Sequence, residues 1–181
     1  MKYKSLIIAF VFLKTLSFAQ ISKVTIQASG LTCSMCSNAI NKAIKKIDYV
    51  DRIDANIKNS TFEVFFKPNA IVSFDELKKK VEDAGFFIAK LEATINFDHA
   101  TISNDTHLEW NGIMYHFLNV GNKIITGETV VQILDKGFVT SKEYKRNAKY
   151  TQMECYKTGY MGSCCNKKAP AITTRIYHVT I

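Results

Sequence analysis

Apolar residues Val24, Ile26 and Ala28 alternate with Lys23, Thr25 and Gln27, and this period of two predicts a half-buried strand. After a loop opening at Gly30 the period lengthens, because Cys36, Ala39, Ile40, Ala43, Ile44 and Ile47 recur at helical spacing. Period two returns at Ile53, Ala55 and Ile57, expected to face inward, and again at Phe62, Val64 and Phe66. Asn59 and Ser60 lie between the two runs, so an antiparallel hairpin is expected. Ser73 with Glu76 three residues later makes a capping box. It opens a helix with Phe74, Leu77, Val81 and Ala84 on one face, which Gly85 ends. A strand from Phe86 to about Ala93 completes the segment.

Strand, helix, strand, strand, helix, strand is the split order of the ferredoxin-like fold, one antiparallel sheet with two helices on a single face. The fold class is therefore expected to be α+β, with residues 21–93 as a ferredoxin-like βαββαβ domain. Residues 94–181 read as a small β-rich C-terminal domain. Asn111-Gly112 is a hairpin turn flanked by Leu108 and Trp110 on one side and Ile113, Tyr115 and Phe117 on the other. Val130, Val131, Ile133 and Leu134 predict another strand, the tail from Thr173 to Ile181 a last one, and Ser141 to Lys149 a short helix. An antiparallel barrel or sandwich, of the OB type, is the architecture these pieces suggest.

The extreme N-terminus changes where the chain is expected to work. Lys2 and Lys4 precede the apolar run Leu6 to Leu13, and Ser17 and Ala19 supply small residues, so residues 1–19 read as a signal peptide cleaved near Ala19. Eight apolar residues fall far short of the roughly 20 that span a bilayer. The mature protein is thus expected to be exported, periplasmic or extracellular, with no transmembrane segment. Cleavage removes three lysines and lowers the formal charge from +8 to +5. Lys78, Lys79 and Lys80 are balanced by Glu82 and Asp83, which describes a solvated helix face and argues against nucleic acid as a partner. Export also implies an oxidising compartment, where idle thiols pair. Five cysteines leave at least one free, metal-bound or paired to another molecule.

Cys33 and Cys36 stand in Gly30-Leu31-Thr32-Cys33-Ser34-Met35-Cys36, at the seam between the first strand and first helix. Thiolate sulfur selects Cu(I), Zn(II) and other thiophilic ions over Mg or Ca. The unpaired N–H groups and positive dipole end of a helix start favour an anion there. Two thiols on an exposed loop suit a low-coordination ion and leave room for a partner's thiol. Two other uses stay open: a dithiol couple and a structural disulfide. Thioredoxin-type couples need a proline loop facing the cysteines, and neither Pro68 nor Pro170 is suitably placed. A structural zinc site would need about four ligands, which no second Cys-x-x-Cys or paired His motif supplies. Met35 is expected to point to solvent, and Thr32 to brace the loop through its hydroxyl.

The element order, this loop and the Asp83-Ala84-Gly85-Phe86 turn together resemble the heavy-metal-associated domain of copper chaperones, copper-pump N-terminal modules and periplasmic mercury-binding proteins. The resemblance covers about 73 of the 181 residues. Leu31 replaces the usual Met under the loop with a side chain of similar volume, and Phe86 matches the position that lies over it. The resemblance implies metal binding by Cys33 and Cys36, with Cu(I) foremost and Hg, Zn, Cd or Ag sharing the ligand pair. It implies transfer or sequestration, with a metal-transporting ATPase or another metal-binding protein as partner. A dithiol oxidoreductase or redox sensor using the same pair, and a mercury or zinc/cadmium scavenger, are the alternatives. No phosphate loop or hydrolase constellation is present and Trp110 reads as core, so no enzymatic activity is expected.

A second concentration of soft donors falls in residues 153–165, where Met153, Cys155, Met161, Cys164 and Cys165 occupy a loop-like stretch. It reads equally as a second Cu(I) site, or acceptor for the ion held by Cys33 and Cys36, and as a disulfide from Cys155 to Cys164 or Cys165. A bond between adjacent Cys164 and Cys165 would be strained. His116 and His178 are expected to be hydrogen-bonded strand residues, and His99 and His107 loop residues.

Overall fold

A computed structural model describes residues 21–31, 34–165 and 174–181. The signal-peptide reading and the positions of Thr32 and Cys33 lie outside these residues. Strand β1 (Ile21–Ser29) leads to helix α1 (Ser34–Ile44), then β2 (Val50–Asn56), β3 (Thr61–Phe66), α2 (Phe74–Asp83) and β4 (Phe87–Ile102). The second half contributes β5 (Thr106–Trp110), β6 (Ile113–Phe117), β7 (Lys123–Ile133), α3 (Ser141–Asn147), a 3-10 turn at Ala148–Tyr150, α4 (Cys155–Thr158) and β8 (Ile176–Thr180).

The predicted elements of the first half are present, with two differences in the faces they bury. Helix α1 buries Ser37, Ile40 and Ile44 with Ile47 beyond its end, while Ala39 is exposed and Cys36 and Ala43 are half-buried. In β2, Ile53 is half-buried, Ala55 is exposed, and Ile57 lies past the strand and is also exposed. Strand β2 is the end strand of the sheet, so its neighbours cover less of it. Helix α2 follows its sequence pattern: the Ser73 hydroxyl accepts the N–H of Glu76 at 3.2 Å, and Phe74, Leu77 and Val81 are fully buried. Each such burial is worth about 1.5–3 kcal/mol.

The second half does not close into a barrel. The eight strands among the described residues join one sheet in the order β2-β3-β1-β4-β7-β8-β6-β5, with β2 and β5 at opposite ends. Strand β4 is the reason. It pairs with β1 from Phe87 to Ile95 and with β7 from Glu92 to Ile102, passing through the expected boundary at residues 93 and 94 without a break. Its alternation continues inward through Leu91, Ala93, Ile95 and Phe97, and no glycine or proline interrupts residues 86–111. One continuous cluster of buried residues therefore includes Val24, Phe62 and Leu77 of the first half together with Phe117, Val131 and Val179 of the second.

Polar contacts reinforce the junction. Arg175, just before β8, donates from Nε to the Asp75 carboxylate of α2 at 2.8 Å, and the Tyr177 hydroxyl donates to the same carboxylate at 2.9 Å. Phe74 and Tyr177 meet edge to face with ring centroids 5.0 Å apart. The Asn111-Gly112 hairpin forms as expected, with φ of +56° and +76°, the left-handed pair that a two-residue turn of this kind requires. The predicted short helix is α3, opened by a reciprocal capping box between Thr140 and Glu143.

Candidate metal centre

The β1–α1 connection begins at Gly30, whose φ of +84° turns the chain off the sheet. Leu31 then packs against the core, as its apolar character dictates. Cys36 is the third residue of α1 and half-buried, whereas Met35 is 81 % exposed and faces solvent. The first turn of α1 carries no acidic residue to compete with a thiolate for the positive end of the helix. Cys33 and its spacing to Cys36 lie outside the described residues.

Phe86 reaches this loop because of how α2 ends. Gly85 adopts φ +86°, its N–H donates to Glu82 O at 2.8 Å, and the N–H of Phe86 donates to Val81 O at 3.1 Å. This pair of bonds is a Schellman motif, which needs a left-handed residue at the glycine position. A Cβ built on Gly30 would stand 4.0 Å from Phe86 Cδ1, so the ring lies beside the start of the cysteine loop.

The structure also gathers the second group of cysteines. Cys155 opens the short helix α4, where the sequence suggested a loop, and Gly159 ends that helix at φ +74° with its N–H on Cys155 O. A bridge between Tyr160 and Arg175, and a hydrogen bond from Met161 N to Thr174 O at 2.9 Å, fold the following segment back. The sulfurs of Cys155, Cys164 and Cys165 consequently lie within 4.8 Å of one another. All three are free cysteines in the structure. Burial pushes the Cys155 thiol well above the usual range. Met153 and Met161 are half-buried in the same stretch.

Sequence reading missed the surroundings of these thiols. His107 belongs to β5, not to a loop, and sits opposite His116 of β6; His116 in turn sits opposite His178 of β8. Three imidazoles thus line up across three neighbouring strands. Register between strands distant in sequence creates that row, so no local pattern announces it. His99 lies in β4 at an irregularity of its pairing with β7 and is exposed, with Nδ1 2.9 Å from Asp98.

Comparison with known proteins identifies the first half. The heavy-metal-associated domain matches residues 25–87. The mercuric transport protein periplasmic component of Pseudomonas fluorescens is 36 % identical over 69 residues, covering 38 % of this chain and 75 % of that protein. The probable copper-transporting ATPase HMA5 of Arabidopsis thaliana is 32 % identical over 76 residues, which is 42 % of this chain and only 8 % of the ATPase. Among solved structures, oxidized MerP from Ralstonia metallidurans CH34 has 33 % identity over 36 % of this chain and 90 % of its own, with a TM-score of 0.34. The chain belongs to the heavy-metal-associated domain family, and the matched segment ends before the second half begins. No helix among the described residues is long and apolar enough to cross a membrane.

Proposed function

We propose that the protein is exported, captures a soft metal ion, Cu(I) foremost, through Cys33 and Cys36, and passes it to a metal-transporting ATPase or another metal-binding protein. The observation that carries this reading is the placement of Cys36 on the first turn of α1, beside a loop bordered by Phe86 and rooted by Leu31. A thiolate there is served by helix-end N–H groups, and a site of two thiols leaves coordination positions for an incoming partner thiol. Relatives named for copper-transporting ATPases and for a periplasmic mercuric transport component support the same chemistry. The ion is cargo in this reading and the protein is not an enzyme.

Titration of the reduced protein with Cu(I) against a competing chelator tests the assignment. Replacing both Cys33 and Cys36 by serine should abolish high-affinity binding attributable to the loop. A parallel Hg(II) titration ranks the two ions. If the double variant transfers Cu(I) to an acceptor domain as fast as the native protein, the loop is not the transfer site.

A further inference from the structure

Outside the loop, and among the described residues, metal-ligating side chains gather in the row His107, His116 and His178 facing Cys155, with Cys164 and Cys165 beyond it. Cys155 Sγ is the hub. It lies 3.5 Å from His178 Nε2 and 3.7 Å from His116 Nδ1, and it belongs both to a group with His107 and His116 and to a group with Cys164 and Cys165.

The far nitrogens of two of these rings are already committed. His178 Nδ1 is 2.7 Å from Asp135 Oδ1, and the second oxygen of that carboxylate accepts the His178 backbone N–H at 3.1 Å. His116 Nε2 is 3.0 Å from Asp105 Oδ1. A carboxylate that takes the N–H of an imidazole fixes its tautomer, so the opposite nitrogen presents a lone pair. In both rings that lone-pair nitrogen faces Cys155. This carboxylate–imidazole arrangement is the support that metal-ligating histidines use, because it orients the ring and raises its basicity. His107 adds a second sign. It stacks on His116 with centroids 4.2 Å apart, and its Nε2 is buried with no hydrogen-bond partner, the single such side-chain atom found among the described residues.

We propose that Cys155, Cys164 and Cys165, together with the imidazole of His178, beside which His116 packs, form a second metal centre that retains one thiophilic d10 ion, Zn(II) or Cu(I). Three thiolates and one imidazole satisfy the tetrahedral N/S preference of Zn(II), and the same donors suit Cu(I). Binding releases the thiol protons to solvent, so uptake strengthens with rising pH. His116, Cys155 and His178 are almost completely buried, and an ion held among them exchanges more slowly than one on the Cys33–Cys36 loop. The centre is independent of the loop: it is built by β6, β8, α4 and the turn at residues 162–165.

The test uses the full chain carrying Cys33→Ser and Cys36→Ser, so that failure of the loop assignment cannot imitate failure here. Reduced protein is titrated with Zn(II) and, separately, with Cu(I), each against a chelator, and with Co(II) as an optical probe. One tightly bound equivalent of either ion, with thiolate-to-Co(II) charge-transfer absorption, is expected. Adding Cys164→Ser and Cys165→Ser, both at half-exposed positions that should not disturb folding, should remove that absorption. Asp135→Asn keeps the shape of the carboxylate but not its charge, and should weaken binding by about 10–100-fold with an unchanged far-ultraviolet circular dichroism spectrum. Absence of a bound equivalent, or binding indifferent to the cysteine changes, overturns the centre. Full affinity in Asp135→Asn overturns the part given to His178.

Discussion

Phe97→Ala examines whether the continuous sheet unfolds as one body. Phe97 lies in β4 beyond the expected boundary, is 2 % exposed, and its ring centroid is 5.5 Å from that of Trp110 and 6.4 Å from that of Phe117. Truncation removes a buried aromatic and leaves a cavity beneath β5 and β6, a loss of about 3–5 kcal/mol. For a chain of this length that corresponds to a fall of order 10 °C in melting temperature. Trp110 is the single tryptophan, so its fluorescence reports the second half alone. Hydrogen exchange of β3 amides, at Phe62 and Val64, reports the first half. Because β4 is bonded to β1 and β7 at once and one apolar cluster crosses the junction, protection of β3 should fall together with the Trp110 transition. A lowered Trp110 transition with undiminished β3 protection would refute a shared cooperative unit.

Two further outcomes follow from the polar contacts. Burial, then repulsion from His107 and His178, pushes the His116 pKa down from 6.5 to about 4, against the opposing Asp105. Between those values the unfolded chain binds a proton that the native state refuses, so stability of the metal-free protein should be complete above pH 6.5 and decline as pH falls toward 4. Urea midpoints measured at pH 7 and pH 5 check this, and a higher midpoint at pH 5 contradicts it. Arg175→Ala removes the donor that joins the start of β8 to Asp75 and to Gly159 O. A destabilisation of about 1–3 kcal/mol is expected, measured as a lower denaturant midpoint; an unchanged midpoint means the bridge is screened by solvent.

Local periodicity and turn chemistry determined much of this molecule. Alternation at Val24 to Ala28, the helical run ending at Ile47, the Ser73 cap, the Gly85 stop and the Asn111-Gly112 hairpin each depend on a few neighbouring residues, so each was readable from the chain. The place of Cys36 at the start of α1 was legible for the same reason, since a helix start is marked by neighbouring residues. The alternation Leu91, Ala93, Ile95 and Phe97 is also a local pattern, yet the sequence reading ended this strand at about Ala93, and the structure corrects it by carrying β4 on to Ile102.

Tertiary structure alone decided what lies side by side. Ile53, Ala55 and Ile57 have the spacing of an inward face, but the edge position of β2 leaves most of that face open. His107, His116 and His178 are scattered over 72 positions of sequence, and only the register of β5 with β6 and the parallel pairing of β6 with β8 places them in one row before Cys155. Sequence determines the period and chemistry of each element. Which elements become neighbours is a contest among long-range pairings, settled by burying one continuous core, and here that contest assembled the thiols and imidazoles.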